Sequence, residues 1–224
     1  MKDNVTLSVD TLGSETKITD ICHGLNLSAE RNINLKYLIY GNENEIKKNI
    51  SGFKSLMKAS EIIHCDEFVK MTDIPSEAIK NKKLSSMSLA IESVSKKSSD
   101  AILSFGNTGA LMTFALLIIK TLTGIRRPSI ASIWPNLSGD SIILDLGANT
   151  KQNSRFLIDN ALLGSSLASI LFKMDKPSIG LLNVGTEDNK GNDEIRIASE
   201  ELQNLSQKNI INYHGFVEGN DISI

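Results

Sequence analysis

Short apolar runs alternate along the chain with longer stretches whose apolar residues recur at helical spacing. This alternation predicts parallel strands joined by crossover helices, in an α/β layered fold with a mostly parallel sheet. The predicted strands are Thr6–Val9, Lys36–Tyr40, Glu61–His64, Ala101–Ser104, Ile130–Ile133, Ser141–Leu144, Ser178–Leu182 and Ile210–Tyr213. The predicted helices are Thr16–Arg31, Ser86–Lys97, Asn107–Leu122, Asn153–Lys173 and Gly191–Leu205.

Composition narrows the class of protein. The 224 residues are 41% hydrophobic, which is enough to bury a sizeable core, and a single domain over residues 1–224 is expected. A formal net charge of -2 argues against a nucleic-acid partner. Cys22 and Cys65 have no C-x-x-C spacing and the three histidines no metal-ligand spacing, so neither a disulfide framework nor a metal site is predicted. The apolar run Leu111–Ile119 is too short to cross a bilayer, and a soluble cytoplasmic protein is expected.

The segment AILSFGNTGAL, residues 101–111, predicts a strand, a Gly-x-x-Gly turn and a helix. Gly106 and Gly109 would let the backbone approach a ligand closely, while Asn107 or Thr108 would cap the helix. Unpaired N–H groups at such a helix start favour a phosphate. A capped turn without any ligand is the alternative that the spacing alone favours, because the segment matches neither the Walker motif nor the dinucleotide fingerprint.

A second polar loop lies in IGLLNVGTEDNKGNDE, residues 179–194, where a strand ends before another helix. Lys190 is suited to act as a point charge on a phosphate oxygen or a developing oxyanion. Asn183 and Glu187 would orient it or the nucleophile, and Gly185 and Gly191 flank the loop. An exposed loop lysine beside a solvated carboxylate explains the same pattern equally well.

A third motif, IILDLGANT at residues 142–150, places Asp145 at the carboxyl end of a strand and Asn149 in the following turn. Ligands of open α/β sheets bind outside such strand ends. An Asx turn would account for both residues without a ligand. No G-x-S-x-G elbow is present, so a serine hydrolase is not expected.

Taken together and in this order, these motifs resemble the PlsX family of phosphate acyltransferases, which act in phospholipid synthesis. The resemblance rests on SFGNTGALM, GIRRPSIASIWP, LDLGAN, GLLNVGTEDNKGNDE and GFVEGNDI, with LSSMSLAIE upstream and a weaker match at the opening LSVDTLGSE. It spans nearly the whole chain.

The resemblance implies a three-layer α/β/α fold similar to isocitrate and isopropylmalate dehydrogenases and to phosphotransacetylases. It implies a homodimer that uses neither a metal nor an organic cofactor. Inorganic phosphate would attack the thioester of acyl-acyl carrier protein, and the acyl phosphate would pass to a membrane glycerol-3-phosphate acyltransferase. The implied location is the cytoplasm, with peripheral association at the inner membrane left open.

Site residues follow from the same resemblance. The expected catalytic residues are Lys190, Asn107 and Thr108. The expected substrate-binding residues are Asp10, Gly13, Gly106, Gly109, Asp145, Asn149, Asn183, Gly185, Glu187 and Gly191. Two alternatives stay open: a phosphotransacetylase-like enzyme that uses acyl-coenzyme A, and a catalytically silent binding protein.

The chain departs from the family pattern in two places. Where the family opens with Asp-Ala-Met-Gly-Gly-Asp, this chain keeps Asp10 and Gly13 but has Ser14 and Glu15 at the last two positions, which would hinder close backbone approach there. Family members also continue beyond the GFVEGNDI segment, so the family fold is expected to lack its C-terminal part here. An exposed sheet edge, with low solubility or obligate association, is the expected consequence.

Overall fold

The computed structural model describes residues 4–137, 139–147, 152–187 and 190–223. The chain forms two compact units, unit 1 (residues 1–120) and unit 2 (residues 121–224). The expectation of a single domain stays a prediction.

Unit 1 is built on a parallel sheet of four strands in the order β3-β2-β1-β4. The strands are β1 Val5–Asp10, β2 Leu35–Gly41, β3 Ser60–His64 and β4 Ala101–Ser104. The helices are α1 Ile18–Arg31, α2 Glu43–Ile50, α3 Lys54–Ala59, α4 Pro75–Asn81, α5 Ser86–Ser95 and α6 Thr108–Ile118.

The two faces of this sheet bury different helices, because neighbouring strand residues point to opposite sides. Tyr37 and Ile39 of β2 pack with α1, α2 and α3. Tyr40, which points the other way, packs with Ala90 of α5. Unit 1 is therefore a three-layer α/β/α structure, with Val9 of β1 fully buried in its core.

Unit 2 contains an antiparallel pair, β5 Ala131–Asn136 with β6 Gly139–Leu144, and a parallel pair, β7 Ser178–Leu182 with β8 Asn212–Val217. Its helices are α7 Ser154–Phe172, α8 Asp193–Gln207 and the short 3-10 helix Asp221–Ser223. Ile158 of α7, Leu181 of β7 and Leu202 of α8 lie in one apolar cluster that joins these elements.

All eight predicted strands form, but three predictions needed correction. The strands predicted at 130–133 and 141–144 pair antiparallel, because the two residues between β5 and β6 leave no room for a crossover helix. The last predicted strand lies two residues further along, at Asn212–Val217. The predicted helix 107–122 ends at Ile118, and Lys120 then adopts a positive φ of 70°. Helices α2, α3 and α4 were not predicted.

Among the described residues, α7 is long and apolar enough to cross a membrane by length and composition alone. A third of its apolar window is buried, and Phe156, Ile158 and Ala168 are among the residues that it buries in unit 2.

Candidate functional site

In unit 1, two polar side chains meet where neighbouring parallel strands end. Asp10 is the last residue of β1 and Ser104 the last of β4, and the two are paired in register. Ser104 Oγ donates to Asp10 Oδ2 (2.7 Å), and Ser86 Oγ at the start of α5 donates to Asp10 Oδ1 (2.5 Å). The Asp10 side chain is 1% exposed, and this burial raises the pKa of the carboxyl group against the smaller opposing effect of the hydroxyl donors.

The loop after β4 is held by its own side chains. Ser104 Oγ accepts a hydrogen bond from the Gly106 amide (3.2 Å). Asn107 caps α6, because its Oδ1 accepts from the Ala110 amide (3.0 Å). The N–H groups of Thr108 and Gly109 precede the first intrahelical bond, and both residues are exposed. This turn thus presents backbone donors at the positive end of a helix dipole.

The side-chain amide nitrogen of Asn107 forms hydrogen bonds with the segment 65–74, which we call the strap. This Nδ2 atom donates to the carbonyl oxygens of Lys70 (3.3 Å), Met71 (3.0 Å) and Asp73 (3.0 Å). Asn107 is buried, and its amide is engaged at both ends by backbone groups. Its contacts are those of a positioning residue.

The strap is also fixed from two other directions. Lys82 Nζ donates to the Phe68 carbonyl oxygen (3.0 Å) and pairs with Asp73 (2.5 Å), a contact that lowers the pKa of that carboxyl group. Gly13 packs beneath it with a φ of 73°, and a Cβ atom at this position would overlap the Val69 carbonyl oxygen. A side chain at residue 13 would therefore meet both backbone strain and a steric clash.

In unit 2, Asp145 follows β6 with a positive φ of 59°. Its amide donates to the Ile130 carbonyl oxygen (2.7 Å), and its Oδ2 accepts from Gln152 Nε2 (2.7 Å). The two bonds fix Asp145 to Ile130 and to Gln152. Asn149 lies outside the described residues.

The loop after β7 folds back on Asn183. Asn183 Nδ2 donates to the Lys190 carbonyl oxygen (3.2 Å), while Asn183 Oδ1 accepts from the Val184 amide (2.9 Å). Gly191 has a φ of 82°, and a Cβ atom there would overlap Asn183 Oδ1. Asn183 and Gly191 therefore shape this loop.

Glu187 and Lys190 emerge from the same turn, since the Lys190 amide donates to the Glu187 carbonyl oxygen (3.0 Å). Both side chains are exposed, and both pack beside the buried Gly185. Within the described part of the chain, no carboxylate pairs with the Lys190 ammonium. The turn presents a cationic and an anionic side chain to solvent.

Glu194 joins the starts of the two helices of unit 2 and was missed by the sequence analysis. Its Oε2 accepts from the amide of Ser154, the first residue of α7 (2.6 Å), and this bond lowers the pKa of the carboxyl group. A carboxylate already occupies the start of α7, so this helix end is not an open anion site.

The structure brings the predicted residues together in two sets. Unit 1 gathers Asp10, Gly13, Gly106, Asn107, Thr108 and Gly109, and unit 2 gathers Asn183, Gly185, Glu187, Lys190 and Gly191, with Asp145 at a separate strand end. Ser86 and Ser104 were also missed. Only the register of β1 with β4 could have indicated Ser104.

Neither cysteine is suited to act as a nucleophile. Burial raises the pKa of the Cys22 thiol to about 11 and that of the Cys65 thiol to about 12. Both groups are protonated at neutral pH, and the thiolate is the reactive form.

The chain has the same fold as solved phosphotransacetylases. It superposes on a phosphotransacetylase from Streptococcus pyogenes with a TM-score of 0.71 at 16% identity, covering 97% of this chain and 69% of the other. The corresponding values for a phosphotransacetylase from Staphylococcus aureus are 0.64, 16%, 96% and 69%. The predicted α/β, phosphotransacetylase-like fold is thereby confirmed.

The chain belongs to the family described as "Fatty acid synthesis protein", whose model it matches over residues 5–224. It is 40% identical over 223 residues to a phosphate acyltransferase from Rhodopseudomonas palustris (strain BisB18), covering 99% of this chain and 63% of that relative. A phosphate acyltransferase from Mesorhizobium japonicum is 38% identical over 219 residues, covering 97% of this chain and 61% of that relative. The predicted family resemblance is confirmed, and the chain spans less than two thirds of these relatives' length.

Proposed function

We propose that this chain carries out phosphate acyltransfer, converting an acyl thioester of acyl carrier protein and inorganic phosphate into an acyl phosphate and the free carrier thiol. The observation that carries the proposal is the turn at Gly106–Gly109, which presents exposed backbone donors while Asn107 is fully used in holding that backbone. A backbone site of this kind suits an anionic substrate. The names of the relatives support the same reaction.

The proposed chemistry needs no nucleophile from the protein. A phosphate oxygen attacks the thioester carbonyl carbon, and the carbonyl electron pair moves to oxygen to form a tetrahedral oxyanion. Collapse of the oxyanion breaks the carbon–sulfur bond, and the leaving thiolate takes up a proton. The protein has to orient the anion and stabilise the oxyanion, which fits the protonated state of both cysteines.

In unit 1, the amides of Thr108 and Gly109 are proposed to bind phosphate. Asp10 and Gly13 act indirectly, since Asp10 is buried beneath the turn and Gly13 supports the strap. Asn107, which the resemblance implied to be catalytic, is proposed to position the turn.

In unit 2, Lys190 is proposed to place its ammonium on a phosphate oxygen or on the oxyanion, with Glu187 beside it. Asn183, Gly185 and Gly191 shape the turn that presents them. Asp145, whose carboxylate accepts from Gln152, is proposed to act indirectly at its strand end, and Asn149 stays a proposed substrate-binding residue.

The partners of the reaction are proposals as well. We expect acyl carrier protein as donor, inorganic phosphate as acceptor, a homodimer as the working form and a membrane glycerol-3-phosphate acyltransferase as consumer of the product. The expected location is the cytoplasm, with peripheral association at the inner membrane.

The direct test is acyl-phosphate formation from a long-chain acyl-acyl carrier protein and inorganic phosphate, with acyl-coenzyme A as the competing donor. Turnover with the carrier protein supports the proposal. Turnover with coenzyme A alone would replace it with the phosphotransacetylase-like alternative, and a folded chain without turnover on either donor would favour a silent binding protein.

Lys190→Glu should lower turnover by about a hundredfold or more while leaving the chain folded, because it removes an oxyanion-stabilising charge. The matched control is Lys208→Glu, which makes the same change of charge at an exposed position after α8. Equal turnover in the two variants would remove Lys190 from the mechanism.

A further inference from the structure

The Asp10 carboxylate is buried without a cationic partner in the described contacts. Its hydrogen-bond donors are all neutral: the hydroxyl groups of Ser86 and Ser104 and, at a longer distance of 3.4 Å, the Leu12 amide. Burying a carboxylate costs free energy that neutral donors recover only in part. A carboxylate that is buried despite this free-energy cost, at the end of a central strand, is a candidate for a role in function.

The contacts of Asp10 lead directly to the turn that we propose binds phosphate. Asp10 Oδ2 accepts from Ser104 Oγ (2.7 Å), and because that hydroxyl proton is committed to Asp10, the Ser104 oxygen accepts from the Gly106 amide (3.2 Å). Asp10 thus fixes the direction of the Ser104 hydroxyl, and Ser104 fixes the backbone at Gly106. The residues are 94 positions apart along the chain, so the link depends on the folded sheet.

A second contact fixes the carboxylate itself. Ser86 at the start of α5 holds Asp10 Oδ1, and its amide donates to the Glu67 carbonyl oxygen in the strap (3.0 Å). Asp10 is therefore held from α5 and acts on the turn through Ser104.

We propose that Ser104, oriented by Asp10, is a positioning residue that holds the Gly106–Gly109 turn in its phosphate-binding conformation. This inference rests on the proposed function. Removing the Ser104 hydroxyl leaves the turn free to move at Gly106 and leaves Asp10 with one fewer donor. The free energy needed to order the turn is then subtracted from the free energy of phosphate binding, so phosphate binds more weakly.

The test compares Ser104→Ala with Ser93→Ala. Ser93 is a buried serine of unit 1 whose hydroxyl bonds to Ser99 and to the Ala90 carbonyl oxygen, so it controls for loss of a hydrogen-bonded hydroxyl elsewhere in the unit. Amide hydrogen exchange at Gly106 is measured in the absence of substrate, and KM for inorganic phosphate and kcat are measured in the acyl-phosphate assay. Ser104→Thr, which keeps the hydroxyl, is the rescue variant.

In Ser104→Ala we expect faster exchange at Gly106 and a KM for phosphate raised by about tenfold with kcat changed much less, a pattern typical of lost ground-state binding. Ser93→Ala and Ser104→Thr should resemble the parent chain in both readouts. Unchanged exchange and unchanged KM in Ser104→Ala would overturn the proposal. An inactive parent chain would overturn the proposed function instead, and the exchange measurement would still decide whether Ser104 holds the turn.

Discussion

In unit 1 Asp10 and Asn107 are buried, Ser104 is half-buried, and all three are bonded to one another or to the backbone, whereas in unit 2 Glu187 and Lys190 are exposed. The polar atoms of Asp10, Ser104 and Asn107 form hydrogen bonds that shape the loops. Unit 1 thus exposes backbone donors at Thr108 and Gly109, and unit 2 exposes the charged side chains of Glu187 and Lys190.

This difference decides how substitutions should act. A change in the unit 1 loops alters stability and loop geometry together, because the same contacts carry both. A change at Lys190 alters charge with little effect on packing, because the side chain is exposed. The predictions below test whether the two regions separate in this way.

The largest effect is expected at Gly13. Gly13→Ala should lower the free energy of unfolding by roughly 2–4 kcal/mol, because the added methyl group meets a left-handed backbone and the Val69 carbonyl oxygen. The control is Gly24→Ala in α1, where a Cβ atom has open space and the helix should gain roughly 0.5–1 kcal/mol. Chemical denaturation of both variants measures the difference, and equal stabilities would contradict the described packing of the strap.

The next effect compares two helix caps. Asn107→Ala should cost roughly 2–3 kcal/mol, since it removes a cap and leaves strap carbonyl groups without their donor. Asn192→Ala, which removes only the cap of α8, should cost about 1 kcal/mol. If denaturation shows the same loss for both, Asn107 does not clamp the strap.

A smaller, pH-dependent effect is expected at Asp10. Because the pKa of Asp10 is raised in the folded chain, the cost of its buried charge is absent below its ordinary value of 3.8 and grows as pH rises through the folded pKa. Asp10→Asn should therefore gain stability relative to the parent chain as pH increases. The nearby Cys65 thiol, whose pKa is about 12, stays protonated over this range and does not contribute to the change. Denaturation at several pH values measures this gain, and a difference that shrinks with rising pH would refute it.

The smallest effect is expected at Glu194 in unit 2. The amide of Ser154 lowers the pKa of the Glu194 carboxyl group, so its contribution to stability is present above the ordinary value of 4.5 and is lost as pH falls through the folded pKa. Glu194→Gln should lack this acid-dependent loss. Matching acid-denaturation curves for the variant and the parent chain would show that Glu194 does not support the start of α7.

The sequence predicted all eight strands, because each contains a short apolar run, but these runs did not indicate whether neighbouring strands are parallel or antiparallel. It did not predict the β5–β6 hairpin. Proline is rare within strands, so Pro135 gave no reason to extend the predicted strand as far as Asn136. Helices α2 and α4 are eight and seven residues long, about two turns each, so few apolar positions recur within them.

The candidate site was predicted only where its residues adjoin along the chain. Gly106, Asn107 and Gly109 share one motif and could be recognised together. Ser86 and Ser104 could not, because they meet Asp10 across 76 and 94 positions of sequence, which only the fold brings together.

The central claim is that the backbone of the Gly106–Gly109 turn binds inorganic phosphate. The most direct measurement is a backbone-amide NMR titration of the isotopically labelled chain with inorganic phosphate, against chloride at matched ionic strength. Saturable shifts at the Thr108 and Gly109 amides, with slower exchange at the same positions, are predicted. Saturable phosphate binding that shifts other amides and leaves these two unchanged would contradict the claim.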